Sequence, residues 1–158
     1  MSEWHWHYHD YQPEQERLRE ALCTLGNGYF ATRGAAPESD ASEHHYPGSY
    51  LAGGYDRAET EVHGRVVENE DLVNLPNWLV LRLAFDDGTR FSLDEMEILS
   101  FAQSLDMRRG VLTREVRFRD DRDRTTELRQ RRLVHMAQQH LAALETTITA
   151  VDWSGTVR

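Results

Sequence analysis

From residue 111 onward apolar and polar positions alternate. Arg117 and Arg119 alternate with Val116 and Phe118, and Glu127 and Arg129 with Thr126, Leu128 and Gln130. A period of two sends the two sets to opposite faces of a strand. Residues 111–134 therefore predict one long hairpin, with the charged run 120–124 as its solvated connection. Residues 141–151 end in the β-branched run Thr146-Thr147-Ile148-Thr149, which favours a further strand over a helix. Upstream, strands are expected over 29–34, 49–56 and 61–67, the last two joined by a polar turn at 57–60. Residues 78–85 are strongly apolar. Asp86-Asp87-Gly88 and the stretch 89–93 follow them, which is a hairpin signal. Residues 97–105 add one more strand, and 35–47 read as a long surface loop.

Only the start of the chain has a helical period. Leu18, Ala21, Leu22 and Leu25 recur at spacings of three and four, after Pro13 and the acids Glu14 and Glu16 at the N-terminal end. A helix is expected over 13–25, stopped by Gly26-Asn27-Gly28. One short helix and many short strands with polar turns give a mostly-β fold, an antiparallel β-sandwich.

Composition narrows the partners. The 158 residues suffice for one domain, with 39% hydrophobic and 28% charged positions spread along the chain. The net charge of −9 argues against a nucleic-acid partner, because an acidic surface repels phosphates. All 18 basic residues are arginine. Cys23 has no second cysteine to pair with, which fits a reducing compartment; it reads as a small buried hydrophobe. The first residues have neither a cationic segment nor an apolar one, and no apolar run is long enough to cross a bilayer. The localisation expected is cytoplasmic.

Candidate chemistry is sparse. His5, His7 and His9 share one face of an extended chain, a spacing that can bind a transition metal. Zinc sites usually take four ligands, however, and no cysteine or acidic partner is obvious nearby. The reading adopted is that Trp4, Trp6 and Tyr8 pack on the sandwich while the histidines face water. His44, His45, His63, His135 and His140 are scattered, and each reads as a surface or hydrogen-bonding histidine. Glu68-Asn69-Glu70-Asp71 is acidic, but neighbours on a strand point to opposite faces, so it reads as a turn or a salt-bridged edge rather than a catalytic pair. Gly26-Asn27-Gly28 and Gly53-Gly54 match no phosphate loop. No catalytic, cofactor-binding or metal-binding residue is assigned.

Several segments carry a family resemblance. Leu25-Gly26-Asn27-Gly28-Tyr29-Phe30-Ala31-Thr32-Arg33-Gly34, Tyr50-Leu51-Ala52-Gly53-Gly54-Tyr55-Asp56 and Leu72-Val73-Asn74-Leu75-Pro76-Asn77-Trp78 resemble, in order, the start of family 65 glycoside hydrolases and phosphorylases. Leu105-Asp106-Met107-Arg108-Arg109-Gly110-Val111-Leu112-Thr113-Arg114 and Arg131-Arg132-Leu133-Val134-His135-Met136 continue the likeness, which runs from about residue 14 to the end. The resemblance implies a galactose-mutarotase-like super-sandwich preceding an (α/α)6-barrel. It implies a parent enzyme that cleaves an α-glucosidic disaccharide with inversion, by phosphate or by water, using a general acid in the barrel. Phosphate is then a co-substrate of the parent, and no cofactor is expected. Residues 1–158 are expected to be a partial N-terminal sandwich, inactive alone, with the parent's barrel and a second copy as partners. Asn27, Arg33, Asn74 and Asn77 are expected to be structural, with Arg33 pairing a carboxylate. The run 120–124 lacks the glycine expected of that turn. The rival readings are a free-standing carbohydrate-binding module and a protein-interaction module.

Overall fold

A computed structural model describes residues 3–158. Ten strands and one helix follow in the order β1 (His5–Tyr8), α1 (Pro13–Leu22), β2 (Leu25–Gly26), β3 (Phe30–Thr32), β4 (Ser49–Leu51), β5 (Tyr55–Val62), β6 (Arg65–Leu72), β7 (Glu97–Asp106), β8 (Val111–Arg119), β9 (Thr125–Val134) and β10 (Ala142–Ala150). The protein is mostly β, with antiparallel sheets. A five-stranded sheet has the order β1-β7-β8-β9-β10; β2-β3-β4 and the hairpin β5-β6 form two smaller ones.

The alternation of β8 and β9 divides the main sheet as expected. Its outer face is a lattice of directly opposed ion pairs: Arg117 with Glu127, Glu115 with Arg129, Glu97 with Arg119 and Glu145 with Arg131. Each contributes little by itself, but opposite charges across strands favour this register over a slipped one. The inner face is built in rows. Phe101, Val116, Leu128 and Ile148 stand opposite one another in register, and so do Leu105, Leu112, Arg132 and Leu144. The first row belongs to an apolar cluster completed by Leu83, Phe85, Phe91, Leu93 and Phe118. The second adjoins a smaller cluster containing Cys23, Leu25 and Val134. Between them runs a polar row, Gln103, Arg114, Gln130 and Thr146.

The helix departs from expectation. It ends at Leu22, and Leu25-Gly26 begins a strand. Leu18 and Leu22 face outward, whereas Glu16, Arg19 and Glu20 are buried. The reason lies in remote partners. Arg19 donates to the Asp10 carbonyl and carboxylate and lies over the Tyr8 ring, while Glu20 is held by the 42–48 loop.

The second correction is the turn expected at 57–60. Residues 57–60 lie within β5, and the turn falls at His63-Gly64, where φ is 51° and 76°. Both faces of the β5-β6 hairpin are exposed, so no alternation marks its arms and their polarity resembles a turn. The expected pair 78–85 and 89–93 is reduced to the bridge Ala84–Arg90, with Phe85 bridging Val157 instead. In the 120–124 connection Asp123 itself takes positive φ, at 59°. The Asp120 carboxylate accepts the backbone N–H of Arg122 and of Arg124, which closes the turn without glycine.

Candidate functional site

One polar constellation links the helix, the 35–47 loop and the segment before β7. Glu20 on α1 is fully buried, and its Oε1 lies 2.8 Å from His45 Nδ1. Its Oε2 accepts the Tyr46 backbone N–H at 2.8 Å. On the other side of the imidazole, Nε2 lies 3.2 Å from the Tyr11 hydroxyl, which donates to Asp94 Oδ1 at 2.7 Å. His45 and Asp94 line a groove of about 730 Å³, together with Asp40, Arg82, Arg90 and Arg158.

The proton positions follow from the bonding. Tyr11 has a single proton, given to Asp94, so His45 Nε2 must donate to the phenol oxygen. The Glu20 carboxylate only accepts, so Nδ1 must donate too. His45 is thus an imidazolium between a carboxylate and a phenol. Burial disfavours that charge, but the hydrogen bond and charge of Glu20, with Glu16 and Asp94 beyond, outweigh it and raise the pKa. Burial and the bond to Asp94 push the Tyr11 phenol upward, and burial chiefly raises Glu16. His45 bonds to both Glu20 and Tyr11, and these two reach on to the Tyr46 N–H and to Asp94, which makes the constellation a clamp between helix and loop. The sequence alone marks His45 only as one of several surface or hydrogen-bonding histidines. Spacings of 25 residues to Glu20 and 34 to Tyr11 leave no local signal.

The other candidates fall elsewhere. His5, His7 and His9 stack in parallel, with ring centroids 5.8 and 5.9 Å apart, so they stand side by side rather than converge. Among the described residues no group of three His, Cys, Asp or Glu is arranged to hold a metal ion. Trp4 and Trp6 are about half exposed, Trp6 with its ring edge-on to Tyr8, and Tyr8 packs on the smaller cluster. Trp78 and Trp153 are the packed tryptophans, and their indole N–H groups donate to Thr32 and to Thr125 and Thr126. His135 accepts backbone N–H groups of Ala137 and Gln138, and His140 meets the Tyr29 ring edge-on. His44 is half-buried and His63 occupies the β5-β6 turn. Glu68-Asn69-Glu70-Asp71 lies inside β6, where Arg57 reaches Glu68 and Glu70 on one face. Cys23 is buried, and burial raises its thiol pKa. Gly34 passes so close that a Cβ there would sit 2.5 Å from that of Cys23, so this position of the motif has to be glycine.

Asn27, Asn74 and Asn77 all bond to backbone. Among the described residues Arg33 pairs no carboxylate; it donates to the Arg17 carbonyl and lies over the Tyr46 ring. Asn27 is the most connected. Its amide donates to the His135 and Gln139 carbonyls while its oxygen accepts from Tyr29 and Phe30, which ties β3 to the loop before β10. Asn27→Ala is expected to cost about 1–3 kcal/mol by leaving part-buried groups unpaired. Hydrogen exchange should quicken at 135–141 and not at 97–106; uniform protection in the variant would contradict that role.

Comparison with known proteins adds a family. A family model described as the N-terminal domain of glycosyl hydrolase family 65 matches residues 6–158. An uncharacterized glycosyl hydrolase of Mycobacterium tuberculosis is 52% identical over 150 residues, covering 95% of this chain and 11% of that protein. A kojibiose phosphorylase of Caldanaerobacter subterraneus subsp. tengcongensis is 36% identical over 138 residues, covering 87% of this chain and 17% of that protein. Among solved structures, a putative kojibiose phosphorylase from human microbiome superposes with a TM-score of 0.81 at 21% identity, over 92% of this chain and 19% of that one. That likeness speaks to the fold alone. The chain thus spans between about a tenth and a fifth of the length of these relatives.

Proposed function

Since the chain belongs to glycosyl hydrolase family 65 as its N-terminal domain, we propose that it is a noncatalytic part of an enzyme that cleaves an α-glucosidic disaccharide. The attack is by phosphate or water, and the general acid belongs to a barrel outside these residues. The domain's task is to brace that barrel and take part in subunit assembly, in the cytoplasm, with a second copy as the assembly partner. The observation that carries this is coverage. Nearly the whole chain aligns with glycosyl hydrolases and phosphorylases many times its length. The clamp of Glu20, His45 and Tyr11 supports it, because its polar groups are already bonded to partners within the domain.

The test is direct. The purified 158-residue chain is expected to release neither glucose nor glucose 1-phosphate from kojibiose, trehalose or maltose, with or without phosphate. Release above a buffer control would sink the reading. The groove beside Asp94 favours a second reading, a carbohydrate-binding module. Titration calorimetry separates the two: the noncatalytic brace gives no micromolar Kd for these disaccharides, and the module gives one.

A further inference from the structure

The polar row between the two apolar clusters is not closed by its own hydrogen bonds. A pocket of about 20 Å³ lies against it, walled by Gly34, Ala35 and Pro37 and by Arg114, Gln130 and Arg132. These last three are 5%, 3% and 4% exposed. Some of their groups are satisfied: Arg114 Nε donates to Gln130 Oε1, Arg114 Nη2 to Glu38, and Arg132 Nη1 to the Ala35 carbonyl. Three buried nitrogens of these residues have no partner, namely Arg114 Nη1, Gln130 Nε2 and Arg132 Nε, and the adjoining Thr146 Oγ1 and Glu38 Oε2 are unpartnered as well. All three nitrogens are N–H donors.

Charge is unbalanced in the same place. Glu38 answers Arg114. Arg132 has no ion-pair partner among the described residues, and its one bonded group is neutral. Burial, with the positive Arg114 nearby, outweighs the more distant carboxylates of Glu20 and Glu38 and holds the Arg132 guanidinium down to about 10, so it is still charged at neutral pH. A buried charge without a counterion is strongly disfavoured, and so is each buried orphan donor. The pocket has room for one water-sized body. Water would accept from two donors and leave the charge uncompensated. Sulfate and phosphate are too large.

We propose that this pocket binds a single halide-sized anion, held by the N–H donors of Arg114, Gln130 and Arg132 between the two halves of the core. The ion accepts from all three donors and neutralises Arg132. It sits where β8 and β9 meet the 34–37 segment, so its occupancy couples the main sheet to the layer above. The site is independent of the parent's reaction.

The experiment is a melting series of the 158-residue chain at constant ionic strength, in chloride or bromide against gluconate. The melting temperature is expected to rise about 4 °C for each tenfold increase in halide above the Kd and to be flat in gluconate. Gln130→Glu places a carboxylate where the amide stood, supplying the negative charge from within. Its melting temperature is expected to lose the halide dependence. Should that variant not fold, bromide anomalous diffraction from the unmodified chain decides: a bromine peak beside Arg132 supports the site. Equal melting temperatures in all salts, or a pocket without bromine density, overturns it and leaves a water there.

Discussion

Phe118→Ala is expected to destabilise the domain by about 3–5 kcal/mol, the range for deleting a fully buried aromatic ring. Phe118 is 1% exposed and lies between Ile98 and Thr126 in the sheet register. Its ring centroid is 4.4 Å from that of Phe91, which comes from the layer above, so the pair joins the two layers. The residual void among Phe85, Phe91, Phe118 and Leu128 is only about 10 Å³ and is lined by apolar atoms, so it offers a water no partner. Removing the ring opens a dry cavity that strands on both sides hinder from collapsing. At about 2–4 °C per kcal/mol for a chain of this size, the melting temperature should fall by roughly 10 °C. Phe118→Leu keeps most of the volume and should cost about a third as much. Equal losses for the two variants would mean that ring packing is not what holds the layers together.

Phe118 also illustrates what could be read beforehand. Where a strand has one wet and one dry face, alternation survives in the sequence, and β8 and β9 fell within the expected hairpin. The same parity carries Arg114, Gln130 and Arg132 inward, since they share a face with Leu112, Val116 and Leu128. That placement was legible from spacing, but its meaning was not, because Glu38 and Ala35 lie 76 and 97 residues away in sequence. The helix misled for a related reason. Its leucines made a regular stripe, yet Glu16, Arg19 and Glu20 face inward, because other segments supply partners to Arg19 and Glu20, and Arg19 in turn pairs Glu16. Hairpin β5-β6 misled because water surrounds it, so neither face imposes a period. The family motifs were readable as residues. Asn77 bonds locally to Leu79, whereas the long-range bonds of Asn27 and Asn74 depend on chain crossings that no local pattern encodes.

The clamp provides the last large effect. Glu20→Ala leaves the His45 imidazolium buried without its carboxylate and the Tyr46 N–H without an acceptor, and a loss of about 3–5 kcal/mol is expected. The pH dependence has a definite sign. The folded-state pKa of His45 is raised above its ordinary 6.5, so folding takes up a proton there. Stability from this pair is full below pH 6.5 and is lost as pH rises through the raised folded value. Glu16 is raised as well and acts in the same direction, in a lower window that begins at its ordinary 4.5. Denaturant unfolding of the unmodified chain should therefore weaken from pH 6.5 upward. In His45→Gln, which keeps a side chain able to donate to Glu20, that slope should flatten. The imidazole of His45 should titrate above 6.5 by NMR, and Glu20→Gln should move it down, since the opposing charge is gone while the shape remains. A His45 titration unmoved by Glu20→Gln, with an unchanged stability profile, would mean that the imidazolium owes nothing to Glu20, and the clamp would have to be reassigned to Tyr11 and Asp94.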